Sequence, residues 1–458
     1  MAGIGFELKK IYGRKTLASN LWGTIYATMT TIGPAVLSAV LLLLLKVLLD
    51  QTDLTVLESR FFVASTTYAF ILAMLVAIIF AAPVSRYISD CIFLKQEEDI
   101  CPSAFGVLAL STAVSGVIML ALCIGAFLSQ DGVPLAYLVG YYFLGVLATD
   151  AFSMMTYASA LKHYRTLTFS FFAGFLLALA VYFLCDTWLD VTKVTAACFA
   201  LVSCYIVVVF ALVFQCVRAF GMPRGRYFAF LAYIPRYPKL AVAGIAYTLG
   251  LYCPTLIYWF FSGMAERVSV FSTAPTYDIA LFLAVVVNMP SLVIFVVKVE
   301  TSFYEKYTQY VSALNNGTYQ LIQKEREVMV RELRQQLFFV YEIQLIITIV
   351  LACLVSVFFP FLNVGIQTLQ MFMILSLGVY AAFCMYFTII VFYYFSDYGG
   401  ACASTLVFLL VTALGAVLAA FFKTLYPVPL LVGGLCGWVV AFLLLRRRME
   451  RLDSFLMC

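Results

Sequence analysis

Long apolar runs of about membrane length, separated by short polar stretches, set the pattern of this chain. A helix crossing a hydrocarbon core needs about 20 predominantly apolar residues. On that measure the chain predicts twelve such helices, with first-half runs at 21–49, 61–82, 104–127, 135–158, 167–184 and 194–217. The second half repeats the plan at 240–261, 279–297, 337–359, 372–395, 401–422 and 428–445. Between the halves lies 218–239, which carries Arg218, Arg224, Arg226, Arg236 and Lys239, three prolines and no acidic residue. The expected organisation is an N-terminal segment 1–20, a six-helix bundle 21–217, a basic linker 218–239, a second six-helix bundle 240–445 and a basic tail 446–458. The second bundle contains one long polar stretch, 298–336, expected to be helical with a break at Asn315-Asn316-Gly317, and read either as a cytoplasmic extension of the eighth span or as a docking surface for a cytoplasmic partner.

Composition removes the alternatives to this all-α integral membrane reading. The chain has 458 residues, 64% hydrophobic and 11% charged, whereas a soluble domain carries about 25% charged residues. The net charge of +5 needs no anionic polymer to explain it, because basic residues at membrane edges suffice. Lys9, Lys10, Arg14 and Lys15 look like the start of a signal peptide, but the apolar run that follows is too long for one. Thirteen cysteines lie singly along apolar runs without CxxC spacing, which argues against a metal site. Basic residues alternate onto one side, at the N-terminus, at Arg86 and Lys95, at Lys162 and Arg165, in the linker, in 298–336 and in the tail. Acidic residues such as Asp50, Asp53, Glu58, Asp131 and Glu266 fall on the other, so both termini are expected to be cytoplasmic.

Candidate chemistry is sparse. There is no HExxH, no GxSxG, no P-loop and no paired intramembrane carboxylate, and the single His163 sits in a basic loop. An enzyme is therefore disfavoured, and no cofactor is expected. One charge stands well inside a span: Asp150 of the fourth helix, with Thr149, Ser153 and Thr156 on its own helix able to offer hydrogen bonds. Two readings stay open for it, a packing residue or a contact for a proton, a cation or a sugar hydroxyl. Pro34 of the first span and Pro254 of the seventh lie at similar depths and form a possible matched pair of helix interruptions, a pointer to a transport path. Tyr141, Tyr142, Tyr247, Tyr252 and Tyr258 are candidate sugar-stacking positions.

Several stretches together resemble the PelG family of exopolysaccharide exporters. They are the opening 1–10 (MAGIGFELKK), Gly33-Pro34 through Ser38, Arg86-Tyr-Ile-Ser-Asp90, 237–244 (YPKLAVAG), Glu300-Thr-x-Phe303-Tyr304-x-x-Tyr307, and Tyr393-Tyr-Phe-Ser-Asp397. The resemblance covers essentially the whole chain. It implies a MATE-like fold of the flippase superfamily in the inner membrane. The implied substrate is an amino-sugar polymer, the Pel polysaccharide, and the implied partners are a PelF-like glycosyltransferase and PelD-like and PelE-like membrane proteins. The export path is then expected between the two bundles, along the first, second, seventh and eighth helices, with Arg86, Lys298, Glu300 and Tyr304 at its cytoplasmic mouth. The alternatives are a flippase for lipid-linked oligosaccharides and a non-transporting scaffold for a synthase complex.

Overall fold

In hydrocarbon every backbone N–H and C=O must be satisfied within the protein, and this chain meets that demand almost wholly with helices. The computed structural model describes residues 32–51, 56–129, 132–161, 164–188, 191–299, 303–358 and 365–450. In chain order the helices are α1 (Gly33–Asp50), α2 (Val56–Phe93), α3 (Ile100–Leu128), α4 (Leu135–Leu161), α5 (Tyr164–Trp188), α6 (Lys193–Phe220) and α7 (Pro238–Phe261). They continue as α8 (Pro275–Asn288), α9 (Pro290–Lys298), α10 (Tyr304–Asn316), α11 (Tyr319–Phe358), α12 (Ile366–Tyr394), α13 (Tyr398–Phe422) and α14 (Val428–Glu450). Among the described residues, twelve segments are long and apolar enough to cross a membrane, α8 and α9 counting jointly as the eighth.

The chain forms two compact units. The first comprises Gly33–Thr248 and Ala265–Ala274; the second comprises Leu249–Met264 and the described residues from Pro275 onward. The chain thus passes from one unit to the other within α7, and a short hairpin after α7 returns to the first. That hairpin pairs Glu266 with Thr273 and Val268 with Phe271, around a turn in which Ser269 takes φ 58°. Packing chemistry accounts for its membership: Phe271 is 1% exposed and meets the rings of Phe61, Tyr68 and Tyr141. The backbone of Ser272 and the Tyr68 hydroxyl exchange two hydrogen bonds, of 2.8 and 3.2 Å.

In the first unit α4 is the central helix, packed by α2, α3 and α6; in the second the same place is held by α12, packed by α8, α11, α13 and α14. Close approach is possible because the inward faces are small. On α3 the buried positions Ser103, Val107, Ser111, Ser115, Met119 and Cys123 recur every four residues, a stripe that lets α4 settle against it. The opposite faces turn large apolar groups outward, such as Val117, Phe210 and Leu414.

Four sequence expectations change. First, α2 continues through Pro83 to Phe93, past the expected end at 82, because neighbouring groups in a membrane bundle tolerate one missing donor. Second, the eighth span is broken between Asn288 and Pro290. Third, the break at 315–317 is present, with Gly317 N–H donating to Ala313 O at 2.7 Å. The polar stretch after it, however, is the first part of the 40-residue α11, so it belongs to the ninth span and not to the eighth. Fourth, the paired prolines differ in setting. Pro254 lies inside α7, whereas Pro34 stands at the start of the described part of α1. Residues 21–31, expected to precede it in the same span, lie outside the described residues.

Candidate functional site

Asp150 is the only charged side chain that is buried among the described residues, at 6% exposure. Its two carboxylate oxygens each accept one hydroxyl hydrogen bond: Oδ1 from Ser111 Oγ at 2.6 Å and Oδ2 from Thr112 Oγ1 at 2.8 Å. An ionised carboxylate only accepts and a hydroxyl supplies one proton, so the match is complete in chemical type. The expected partners on α4 itself do not serve: Thr149 Oγ1 donates to Gly145 O at 2.8 Å, and Ser153 Oγ is buried without a partner. The donors come from the facing helix α3. There, Ser115 Oγ donates to Ser111 O at 2.7 Å. Ser111 and Ser115 are both buried, while Thr112 is exposed, so the node reaches the surface of its unit along one edge. A run of hydroxyl residues in an otherwise apolar helix was the sequence signal for this facing surface.

The second unit has a polar node without charge, and sequence reasoning missed it. Pro290 has no N–H, so the helix breaks there, and the Val286 carbonyl accepts from Met289 N–H at 3.2 Å instead. Asn288, fully buried at the break, donates from Nδ2 to Ala284 O at 2.9 Å and to Ser376 O of α12 at 3.1 Å. Its Oδ1 accepts from Gln344 Nε2 of α11 at 2.6 Å and from Thr348 Oγ1 at 2.9 Å. Its carbonyl accepts from Ser291 Oγ at 2.6 Å. Gln344 is likewise fully buried, and its Oε1 has no partner. Asn288 and Gln344 were visible as amides within apolar runs, but a search for charges passes over them.

The remaining candidates are distributed as follows. In the first unit Arg86 pairs with Asp90 one turn on at 3.0 Å, and its guanidinium lies 5.5 Å from the Tyr237 ring centre. Arg236 lies 5.7 Å from the same ring, so two cations adjoin Tyr237. Burial, with the Asp90 carboxylate close by, raises the nearby Tyr233 phenol above its ordinary pKa. In the second unit Tyr304 opens α10. Lys298 ends α9, its side chain outside the described residues; Glu300 and the segment 1–10 also lie outside them. Tyr141 joins the buried cluster with Tyr137 and Phe271. Tyr258 packs edge-on against Tyr277 and Tyr426 and donates to Tyr426 O at 2.8 Å. These rings fill cores, so those two tyrosines do not offer a free stacking face. Among the described residues no group of three or more metal-ligating side chains occurs.

The arrangement, twelve spans each half of which is built on one enclosed helix, is that of a known class. The chain is similar to an outward-facing multidrug resistance MATE family transporter of the MOP superfamily, with a TM-score of 0.65 and 14% identity over 94% of this chain and 96% of the other. It is equally similar to a MOP superfamily transporter from Pyrococcus furiosus, with a TM-score of 0.65, 12% identity and the same coverages. An inward-facing MATE family structure follows at 0.61 and 12% identity, over 93% and 96% of the two chains. The fold is therefore MATE-like. Within it, the PelG family, described as "Putative exopolysaccharide Exporter (EPS-E)", matches residues 1–456, and the chain belongs to that family. A search of curated proteins finds no match.

Proposed function

We propose that this protein exports the Pel exopolysaccharide, an amino-sugar polymer, across the inner membrane. It does so as a non-enzymatic, multi-pass transporter with both termini in the cytoplasm. The observation that carries the reading is the match of the exporter family to 1–456 on a chain with twelve membrane-length segments among its described residues. In this reading a PelF-like glycosyltransferase supplies the polymer on the cytoplasmic side, and PelD-like and PelE-like proteins assemble with the exporter. Elongation of the polymer by its synthase provides the push. The scarcity of buried charge, Asp150 alone among the described residues, supports a passage driven by elongation over one driven by several titrating acids.

Pro34, Asp150 and Pro254 are the path candidates on this reading, and Arg86, Lys298, Glu300 and Tyr304 those of the cytoplasmic mouth. Deleting the gene tests the function. Extracellular polymer should disappear while glycosyltransferase activity in cell extracts persists, and complementation should restore secretion. Unchanged secretion removes the proposal. Accumulation of lipid-linked oligosaccharide in the inner leaflet identifies a flippase instead. Secretion restored by every path variant that still assembles the complex identifies a scaffold.

A further inference from the structure

The segment joining α6 to α7 spans residues 221–237 and must lie at the membrane surface, because membrane-length helices end at Phe220 and begin at Pro238 on its two sides. It is ordered by packing. A single 3-10 turn, Ala229–Ala232, and a helical turn, Tyr233–Arg236, shape it. Phe230 is fully buried and meets Phe80 edge-on. The backbone carbonyl of Tyr227 lies so close to Gly106 that a Cβ there would fall 1.9 Å from it. Tyr233 packs edge-on against Tyr87. The chain therefore holds a fixed surface in place, not a loose link.

That surface carries two kinds of group. Arg218, Arg224, Arg226, Arg236 and Lys239 are all exposed, and no acidic residue occurs from 218 to 239. Interleaved with them, Met222 is 71% exposed and Phe228 50%. The loop after α2 adds to the same face, since Gly225 approaches Asp99 beside it and Phe93 is 86% exposed. The acidic turn Glu97–Asp99 faces the Arg224–Arg226 end, which leaves Arg236 and Lys239 at the other. Exposed apolar side chains amid cations, with Arg236 and Lys239 at the end away from the acidic turn, on a backbone held at the membrane edge, suit a surface that sinks its apolar groups into the headgroup boundary and pairs its charges with lipid phosphates. A zwitterionic surface would leave those cations without net compensation.

We propose that residues 218–239 form a docking surface for anionic phospholipid headgroups of the adjoining leaflet. Full-length protein extracted from bilayers of mixed phosphatidylglycerol and phosphatidylcholine provides the test, with bound lipid read by native mass spectrometry. Changing Arg224, Arg226, Arg236 and Lys239 together to Gln should lower the bound ratio of phosphatidylglycerol to phosphatidylcholine by roughly fivefold or more, since each surface cation contributes a factor of about that size. Changing Arg446 and Arg447 to Gln should leave the ratio as it was. An unchanged ratio in the first variant, or an equal fall in the second, overturns the proposal. Because lost cations can also alter insertion, a second variant keeps all charges. Phe228→Trp, read as fluorescence above the parent protein in nanodiscs, should be quenched more strongly by brominated phosphatidylglycerol than by brominated phosphatidylcholine. No quenching, or equal quenching by both, refutes it.

Discussion

The two units solve one problem in opposite ways. Each surrounds a central helix and each places polar groups beside it, but α4 carries a carboxylate held by two hydroxyls, whereas α12 adjoins a network of amides, hydroxyls and carbonyls with no charge. The neutral network has an evident structural task, since Ser291 meets the Asn288 carbonyl at the break and Asn288 ties α8 to α11 and α12. The carboxylate has no break to repair: α4 is continuous through Asp150. An insertion cost of about 2.5 to 3.5 kcal/mol for an Asp at the centre of a span is met by two hydrogen bonds to a charged group, roughly 1.5 to 3 kcal/mol each and so about 3 to 6 together. The node is therefore close to neutral or modestly stabilising. The difference teaches that polar nodes in the two halves can be built from different chemistry, a carboxylate with hydroxyls in one and amides with hydroxyls in the other.

That contrast can be broken in order of expected effect. Asp150→Leu should lower polymer secretion by about tenfold or more while the melting temperature of the purified protein moves little, because the lost hydrogen bonds and the regained insertion energy nearly cancel. A large loss of stability with secretion proportional to folded protein would make Asp150 a packing residue. Asn288→Leu should act the other way. It strands the donors of Gln344 and Thr348 and should cost roughly 1 to 3 kcal/mol, seen as a lower melting temperature, with secretion per folded molecule retained. Asp150→Asn sharpens the comparison further. It keeps size and one acceptor, so folding should be indifferent, and a secretion assay then reports the charge alone; full secretion would show that the hydrogen bonds suffice. The smallest effect belongs to Lys423, which ends α13 in the left-handed region at φ 54°. Lys423→Gly should stabilise the second unit by up to about 1 kcal/mol, measured as a small rise in melting temperature, and leave the contrast of nodes untouched.

Much of this was legible beforehand, and the reasons are local. Membrane length is a property of a single run, so twelve spans could be counted from composition. The break at 315–317 was readable because Asn-Asn-Gly ends a helix by its own backbone chemistry. Asp150 stood out because one charge in an apolar run is conspicuous. Its partners were misread, since hydroxyls on the same helix are close in sequence while Ser111 and Thr112 become close only when α3 packs on α4. The amide node was missed for the same reason: Asn288, Gln344 and Ser376 lie on three helices, and each alone is an ordinary polar residue.

The sequence by itself determined a polytopic all-helical membrane protein of the exopolysaccharide exporter family, with one internal carboxylate and a basic segment between its halves. Those features reside in single runs and motifs, where hydrophobicity and charge act without reference to the rest of the chain. Tertiary structure alone decided that 265–274 belongs with the first unit. It decided that the eighth span breaks before Pro290 while α7 runs on through Pro254. It also set a carboxylate node in one half against an amide node in the other. Each of these depends on which side chains from distant segments meet, and only packing brings them together.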